Sequence, residues 1–227
     1  MVTLPEASGT PPACRANAWY ALARTLTPPG EWQENLPDLV DSGLSGLPDP
    51  LPDLGSRLAG LIADHLDSRE PVAVAHARAF LGPFELLVAP WASFYLESEP
   101  QLMGAVSQYA ARAYADAGLA PGEKLLDAPD HVTHELEFMY FLAFNEAATG
   151  DSSWAERQVC FWREHLGLWL PQFADAVTRA GIHPVYDGLA QILSWLCALQ
   201  DAQQGPADPA PSTSRGSASN AHLSSIC

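Results

Sequence analysis

The sequence predicts an all-helical, single globular domain, and three observations carry that prediction. Apolar residues recur at the three- and four-residue spacing of a helix in one segment after another, Pro and Gly clusters separate the segments, and no segment alternates convincingly like a strand. At 227 residues the chain can bury one sizeable core without a second domain. No internal repeat is visible.

Taken in order, residues 1–13 read as a flexible leader. Residues 15–26 form a short helix with Ala18, Trp19, Leu22 and Leu26 on one side, ended by Pro28, Pro29 and Gly30. Residues 32–54 are interrupted by Pro37, Pro48, Pro50 and Pro52, so only a short helix and a crossing loop are expected there. A helix resumes over 53–66, and another runs from Pro71 to about Phe80, because Pro is tolerated in the first turn. Residues 79–99 form an apolar, aromatic loop broken at Gly82-Pro83 and at Pro90, which must cap the core or line a groove. Helices follow over 102–118, with Gly118 closing the end, from Pro129-Asp130 to about Ala147, and over 153–169. Pro171 marks a bend, the helical register continues to Gly181, and His183-Pro184 opens the last helix. Residues 201–227, rich in Pro, Ser and Ala, cannot build a core and read as a disordered tail, leaving 14–200 as the helical domain.

Composition narrows the partners. The chain has 27 acidic residues against 11 basic ones, a formal net charge of -16. Such a field repels phosphate backbones and anionic lipid and favours a cationic partner, so neither nucleic-acid binding nor membrane insertion is expected. No run reaches the roughly eighteen apolar residues of a membrane span. The N-terminus lacks a basic region followed by an apolar one, so the expected location is the cytoplasm. Cys14, Cys160, Cys197 and Cys227 are too widely spaced for a disulfide framework or a paired metal knuckle and read as isolated thiols.

The chemistry concentrates in residues 127–147. Asp130 is placed to accept a first-turn amide hydrogen bond, and Val132, Leu136, Met139, Tyr140, Ala143 and Phe144 form an apolar stripe. Glu135 and Glu137 lie about 200 degrees apart round the helix, which argues against a carboxylate dyad. His131, His134, Glu135 and His165 could be drawn as metal ligands, but His-Val-Thr-His-Glu is not the spacing that sets two His ligands one turn apart around a base, so no metal site is assigned. No glycine-rich phosphate loop occurs, the single Lys, Lys124, has no cradle around it, and no Ser or Cys has a local helper; no cofactor and no catalytic residue is assigned.

A peptide groove explains more. Between Leu125 and Glu156 there is no Arg or Lys, while Asp127, Asp130, Glu135, Glu137, Glu146, Asp151 and Glu156 are acidic. Trp91, Phe94, Tyr95, Tyr140, Phe141 and Phe144 offer aromatic surface beside them. Carboxylates there could hold arginines while the aromatic surface takes the apolar part of the same peptide. A solvated acidic face over an aromatic core is the plainer alternative.

Three motifs sharpen this reading: Gly82, Pro83, Pro90, Trp91, Ser93 and Tyr95; then Pro-Asp-His through Glu-Leu-Glu-Phe-Met at residues 129–139; then His165, Trp169, Pro171 and Phe173. Together they resemble the cytoplasmic redox-enzyme maturation chaperones of the TorD/DmsD/NarJ kind over residues 82–173, with the helical pattern extending the likeness to 14–200. The resemblance implies a TorD-like helical fold and a non-enzymatic chaperone for the apo catalytic subunit of a molybdenum oxidoreductase. Such a chaperone binds the subunit's twin-arginine signal or N-terminal segment, assists cofactor insertion and delays export. By the same resemblance, Trp91, Ser93, Tyr95, Asp130, His131 and Glu135, with the adjacent Glu137, are the expected groove residues, while Gly82, Pro83, Pro90, Pro129, His165, Trp169, Pro171 and Phe173 are motif positions. The family often has Pro-Pro-Tyr or Pro-Tyr in the loop where this chain has Ala89-Pro90-Trp91. A helical metal- or nucleotide-binding enzyme and a non-catalytic dimerising module are the competing readings. The client's identity, the state of its arginine pair and the choice between monomer and homodimer stay open.

Overall fold

The computed structural model describes residues 10–82, 86–99, 103–119 and 128–204. Pro83, the first nine residues of the expected leader and residues 205–227 of the expected tail lie outside them. Helices dominate what is described: α1 Pro11–Thr25, α2 Leu36–Leu44, α3 Leu51–Ala63, α4 Glu70–Phe80, α5 Ala92–Leu96, α6 Ala105–Asp116, α7 Val132–Thr149, α8 Ser152–Phe161, α9 Gly167–Ala180 and α10 Pro184–Gln204. A 3₁₀ turn spans Pro29–Glu31 and a π-helical turn, Trp162–Leu166, joins α8 to α9. The β-type pairing among the described residues is an isolated antiparallel bridge between Trp91 and His131.

Proline explains most differences from the periodicity. α1 starts at Pro11, four residues before the apolar stripe suggests, because its two leading prolines occupy first-turn positions whose N–H groups have no intrahelical acceptor. Pro37 and Pro52 likewise sit in the first turns of α2 and α3, so they begin helices in a stretch that reads as broken. Pro171 does not bend the chain out of its helix. It lies inside α9, and the irregularity falls in the π turn just before that helix. There a Cβ on Gly167 would lie 2.8 Å from the Trp162 indole, so only glycine fits beside that ring. The apolar 79–99 segment contains the short helix α5. α10 runs to Gln204, past the composition change at residue 201.

Helix packing follows a closed circuit of neighbours: α7 on α1, α1 on α2, α2 on α3, α3 on α10, α10 on α9, and back through the π turn and α8 to α7. Gly43 lets α2 approach α1 closely, since a Cβ there would meet the Asn17 carbonyl oxygen at 2.9 Å. Trp19, Leu22, Leu136, Met139, Trp169, Phe173 and Tyr186 fill the centre, fully buried. Removing a Leu or Phe from such a core costs about 2–5 kcal/mol, so this circuit dominates stability. α5 wedges between α6 and α9, which brings the aromatic loop to the N-terminal end of α7. Cys14 and Cys197 are free, burial pushing the Cys197 thiol up to about 12. Among the described residues no helix is long and apolar enough to cross a membrane.

Candidate functional site

The start of α7 is sewn to the aromatic loop by backbone and side chain together. Val132 N–H donates to the Pro90 carbonyl at 2.8 Å, and Ala92 N–H donates to the Asp130 carbonyl at 2.9 Å. The Asp130 carboxylate is fully buried; it accepts the Ser93 amide at 2.9 Å and the Ser107 hydroxyl at 2.6 Å. Tyr114 donates its hydroxyl to the Pro129 carbonyl at 2.7 Å. Asp130 is therefore not the helix cap. That position belongs to His131, whose Nδ1 accepts from the Thr133 amide at 3.3 Å, because the Asp130 oxygens are already held by the loop and by α6.

One turn further on, Glu135 points inward at 0% exposure. Its Oε1 lies 2.6 Å from His165 Nε2, and its Oε2 accepts the Trp169 indole N–H at 2.8 Å. Burial holds the Glu135 carboxyl above the usual carboxylate range, and the contacts to His165 and Trp169 offset that rise only in part. The π turn and the first turn of α9 aim both donors at one carboxylate. Tyr95 stacks on Trp169 at 5.5 Å between ring centres, and its hydroxyl, buried and pushed up to about 12, donates to the Ala89 carbonyl. Trp169 meets Phe173 edge to face, and Phe173 stacks on Phe80. Residues from all three sequence motifs thus meet in one joint, Ser93 and Tyr95 from the first, Asp130 and Glu135 from the second, and His165, Trp169 and Phe173 from the third; Gly82 and Pro171 are partly buried.

The other side of α7 is open. A cavity of about 300 Å³ is bounded by Trp91, His131, His134 and Glu137, with Glu31 and His76 on its far walls. Among the described lining residues the carboxylates are Glu31 and Glu137, and there is no Arg or Lys. His76 bonds Tyr186 at 2.9 Å and is lowered by burial to about 4, so it adds no positive charge at neutral pH. Trp91 meets His131 edge to face at 5.9 Å. Glu137, with its side chain 41% exposed, has the Arg24 guanidinium 3.6 Å away, beyond good hydrogen-bond length.

The expected groove residues therefore fall into two sets. Trp91, His131 and Glu137 line the cavity. Ser93, Asp130 and Glu135 are buried and Tyr95 is half-buried in the joint, which differs from the expectation that the Asp130 and Glu135 carboxylates face a ligand. The rest of the acidic tract is largely used internally: Glu146 pairs with Arg15 at 2.8 Å, and Asp151 caps α8 through the Ser153 amide. Asp127 lies outside the described residues. Of the four groups that could be drawn as metal ligands, Glu135 and His165 meet inside while His131 and His134 face the cavity. Among the described residues no group of three or more His, Cys, Asp and Glu side chains could hold a metal ion.

Glu31, His76, Arg24 and Ser107 escape sequence reasoning, since each reaches the site from a separate helix or turn with no local pattern. His134 was the one legible addition, lying one turn from His131 on the same face.

The fold itself is shared. A redox enzyme maturation protein from Archaeoglobus fulgidus superposes with a TM-score of 0.50 at 20% identity, covering 81% of this chain and 93% of that one. The architecture is thus that of an all-helical redox enzyme maturation protein. The profile of the nitrate reductase delta subunit family matches residues 45–175, more than half of the sequence, and the chain belongs to that family. Its relatives include the Tat proofreading chaperone DmsD of Salmonella typhi, 29% identical over 136 residues, and the chaperone protein TorD of Vibrio parahaemolyticus, 26% identical over 145 residues. These alignments cover 60% and 62% of this chain; they span 63% of the DmsD sequence, less than two thirds, and 67% of the TorD sequence.

Proposed function

We propose that this protein is a system-specific maturation chaperone. It binds the basic and apolar N-terminal segment of the catalytic subunit of a molybdenum oxidoreductase in the cytoplasm, assisting cofactor insertion and preventing premature export, with no reaction of its own. The carrying observation is the cavity beside Trp91, which has carboxylates and aromatic surface on its walls and no Arg or Lys among its described lining residues. Such a wall attracts a guanidinium and offers it a ring to stack on. Family membership and the chaperone names of the relatives support the same reading.

Contact falls to Trp91, His131 and Glu137, while Ser93, Tyr95, Asp130 and Glu135 hold those side chains in place. A partly exposed ion pair contributes only about 0–1 kcal/mol, so apolar contact must supply most of the affinity. Binding of this moderate strength is released by client folding or by competition from the export receptor, without nucleotide hydrolysis. The test is a pull-down from the native cytoplasm with the purified chain, followed by calorimetric titration of the N-terminal peptide of the retained protein. Retention of an apo molybdoenzyme subunit, with binding that depends on the peptide's arginines or its apolar run, is the expected result. Failure to retain any such subunit rejects the assignment.

A further inference from the structure

A groove of about 470 Å³ runs between α1, α6 and α7, walled by Tyr20, Tyr114, Phe138, Tyr140 and Phe141, with Met103 at its rim, 48% exposed. Among its described lining residues the acid is Glu137, with its side chain 41% exposed, and there is no Arg or Lys. Aromatic surface of this kind gains about 25 cal/mol per Å² when an apolar group covers it. The last turn of α10 lies close by. Its Asp201 carboxylate accepts the Trp162 indole N–H at 2.8 Å, and the Trp162 ring lies 6.2 Å from that of Trp19. Tyr20, the next residue of α1, meets Tyr140 at 4.9 Å on the groove wall. Phe161, just before Trp162, meets the groove's Phe138 at 4.8 Å. The chain that continues past Gln204 therefore sets out a few ring contacts from the groove.

We propose that residues 205–227 of this same chain are the groove's occupant, with Leu223 and Ile226 against Tyr140 and Phe141 and Arg215 beside Glu137. Reach, apolar content and charge each select this segment. Arg215 stands eleven positions beyond Gln204 and Leu223 nineteen. An extended chain covers about 36 Å in eleven residues, several times the span of the ring contacts that separate α10 from the groove. Leu223 and Ile226 are the large aliphatic residues of the segment, and its charged side chains are Asp208 and Arg215. It thus brings no net negative charge to a protein of net charge -16, and its cation matches the groove's carboxylate. A second copy would bring that whole negative field to Glu137. Residues 1–9 carry Glu6 as their charged side chain, the wrong sign for the same site. Because the segment is tethered, its local concentration at the groove is on the order of millimolar, so a contact of modest affinity keeps it seated. Glu137 also lines the cavity beside Trp91, so the seated segment is an internal competitor that a client must displace, a consequence that rests on the peptide-binding reading above.

The test uses the full chain with no client present. With Leu223 replaced by the photo-crosslinker benzoylphenylalanine, irradiation should join position 223 to the peptides that contain Tyr20 or Tyr140 and Phe141, within one chain and with a yield independent of protein concentration. Arg215→Glu in the same protein should lower that yield about threefold. In the second arm the neutral apolar dye Nile red is titrated into the parent and into a variant carrying Leu223→Ser with Ile226→Ser. Neither change touches the core, and the variant should bind the dye about threefold more tightly, a gain that Tyr140→Ser abolishes. Crosslinks that join two chains and rise with concentration would make a second copy the occupant and overturn the proposal. So would groove crosslinks from benzoylphenylalanine at Leu4 and none from position 223, or equal dye affinity in parent and tail variant. The client pull-down is a separate measurement: its failure removes the competition and leaves the seated segment standing, whereas an empty groove overturns this proposal and leaves the chaperone reading intact.

Discussion

The two sides of the first turns of α7 carry similar residues and do opposite work. On the inner side, Asp130 and Glu135 are buried carboxylates whose oxygens accept from Ser93, Ser107 and Trp169 or meet His165. On the outer side, His131, His134 and Glu137 face open space, and Glu137 has only a long contact to Arg24. The difference teaches that a carboxylate's role here is set by its partners, since acids two residues apart on one helix end up as a tertiary fastener and as a partly exposed group on a cavity wall.

The largest break in that comparison comes from Glu135→Ala. It strands the His165 and Trp169 donors in the interior and should cost about 3–5 kcal/mol, read as a lowered urea midpoint. A stability change below about 1 kcal/mol would mean that the inner joint is not structural. Asp130→Ala leaves the Ser93 amide and Ser107 hydroxyl without an acceptor and should cost about 1–3 kcal/mol; faster amide exchange at Ala92 and Ser93 would show the loop detaching from α7. On the outer side, Trp91→Ala should leave the urea midpoint within about 1 kcal/mol of the parent yet weaken peptide binding about tenfold, most clearly at high salt, where apolar contact remains. Equal affinities at high salt would remove Trp91 from the contact surface.

His76 links the cavity to the core and gives a pH test. Its folded pKa is depressed from 6.5 to about 4, so between those values the unfolded chain binds more protons than the folded one. The stability this group contributes is therefore present above pH 6.5 and is lost as the pH falls towards 4. His76→Phe should flatten the dependence of the urea midpoint over that window, and an unchanged slope would show that His76 is protonated in the folded state. The smallest effect is expected for Arg24→Gln. Arg24 occupies the place beside Glu137 that a peptide guanidinium would take, so removing it should tighten binding of an arginine peptide about threefold while changing stability by less than about 0.5 kcal/mol.

Much of the fold was legible because helix periodicity is local. The stripes of α7, α9 and α10, and the glycine stops at Gly118 and Gly181, follow from spacing and backbone freedom. Where reading failed, proline was ambiguous: a first-turn proline and a helix-breaking one look alike without the preceding backbone, which is why α1 and α3 begin earlier than their apolar stripes suggest. α5 was missed because a five-residue helix carries too little periodicity to detect.

By itself, then, the sequence determined the helical class, the grouping of acid and aromatic residues around 82–173, and the opposed directions of Glu135 and Glu137. Only the tertiary structure decided which direction was inward. Asp130 finds its donors 37 and 23 positions away, and Glu135 finds its partners 30 and 34 positions away, across a π turn that no local pattern announces. A carboxylate is stable in the interior only when such partners arrive together, and that arrival is a property of how α5, α6, α7 and α9 pack, not of any one of them.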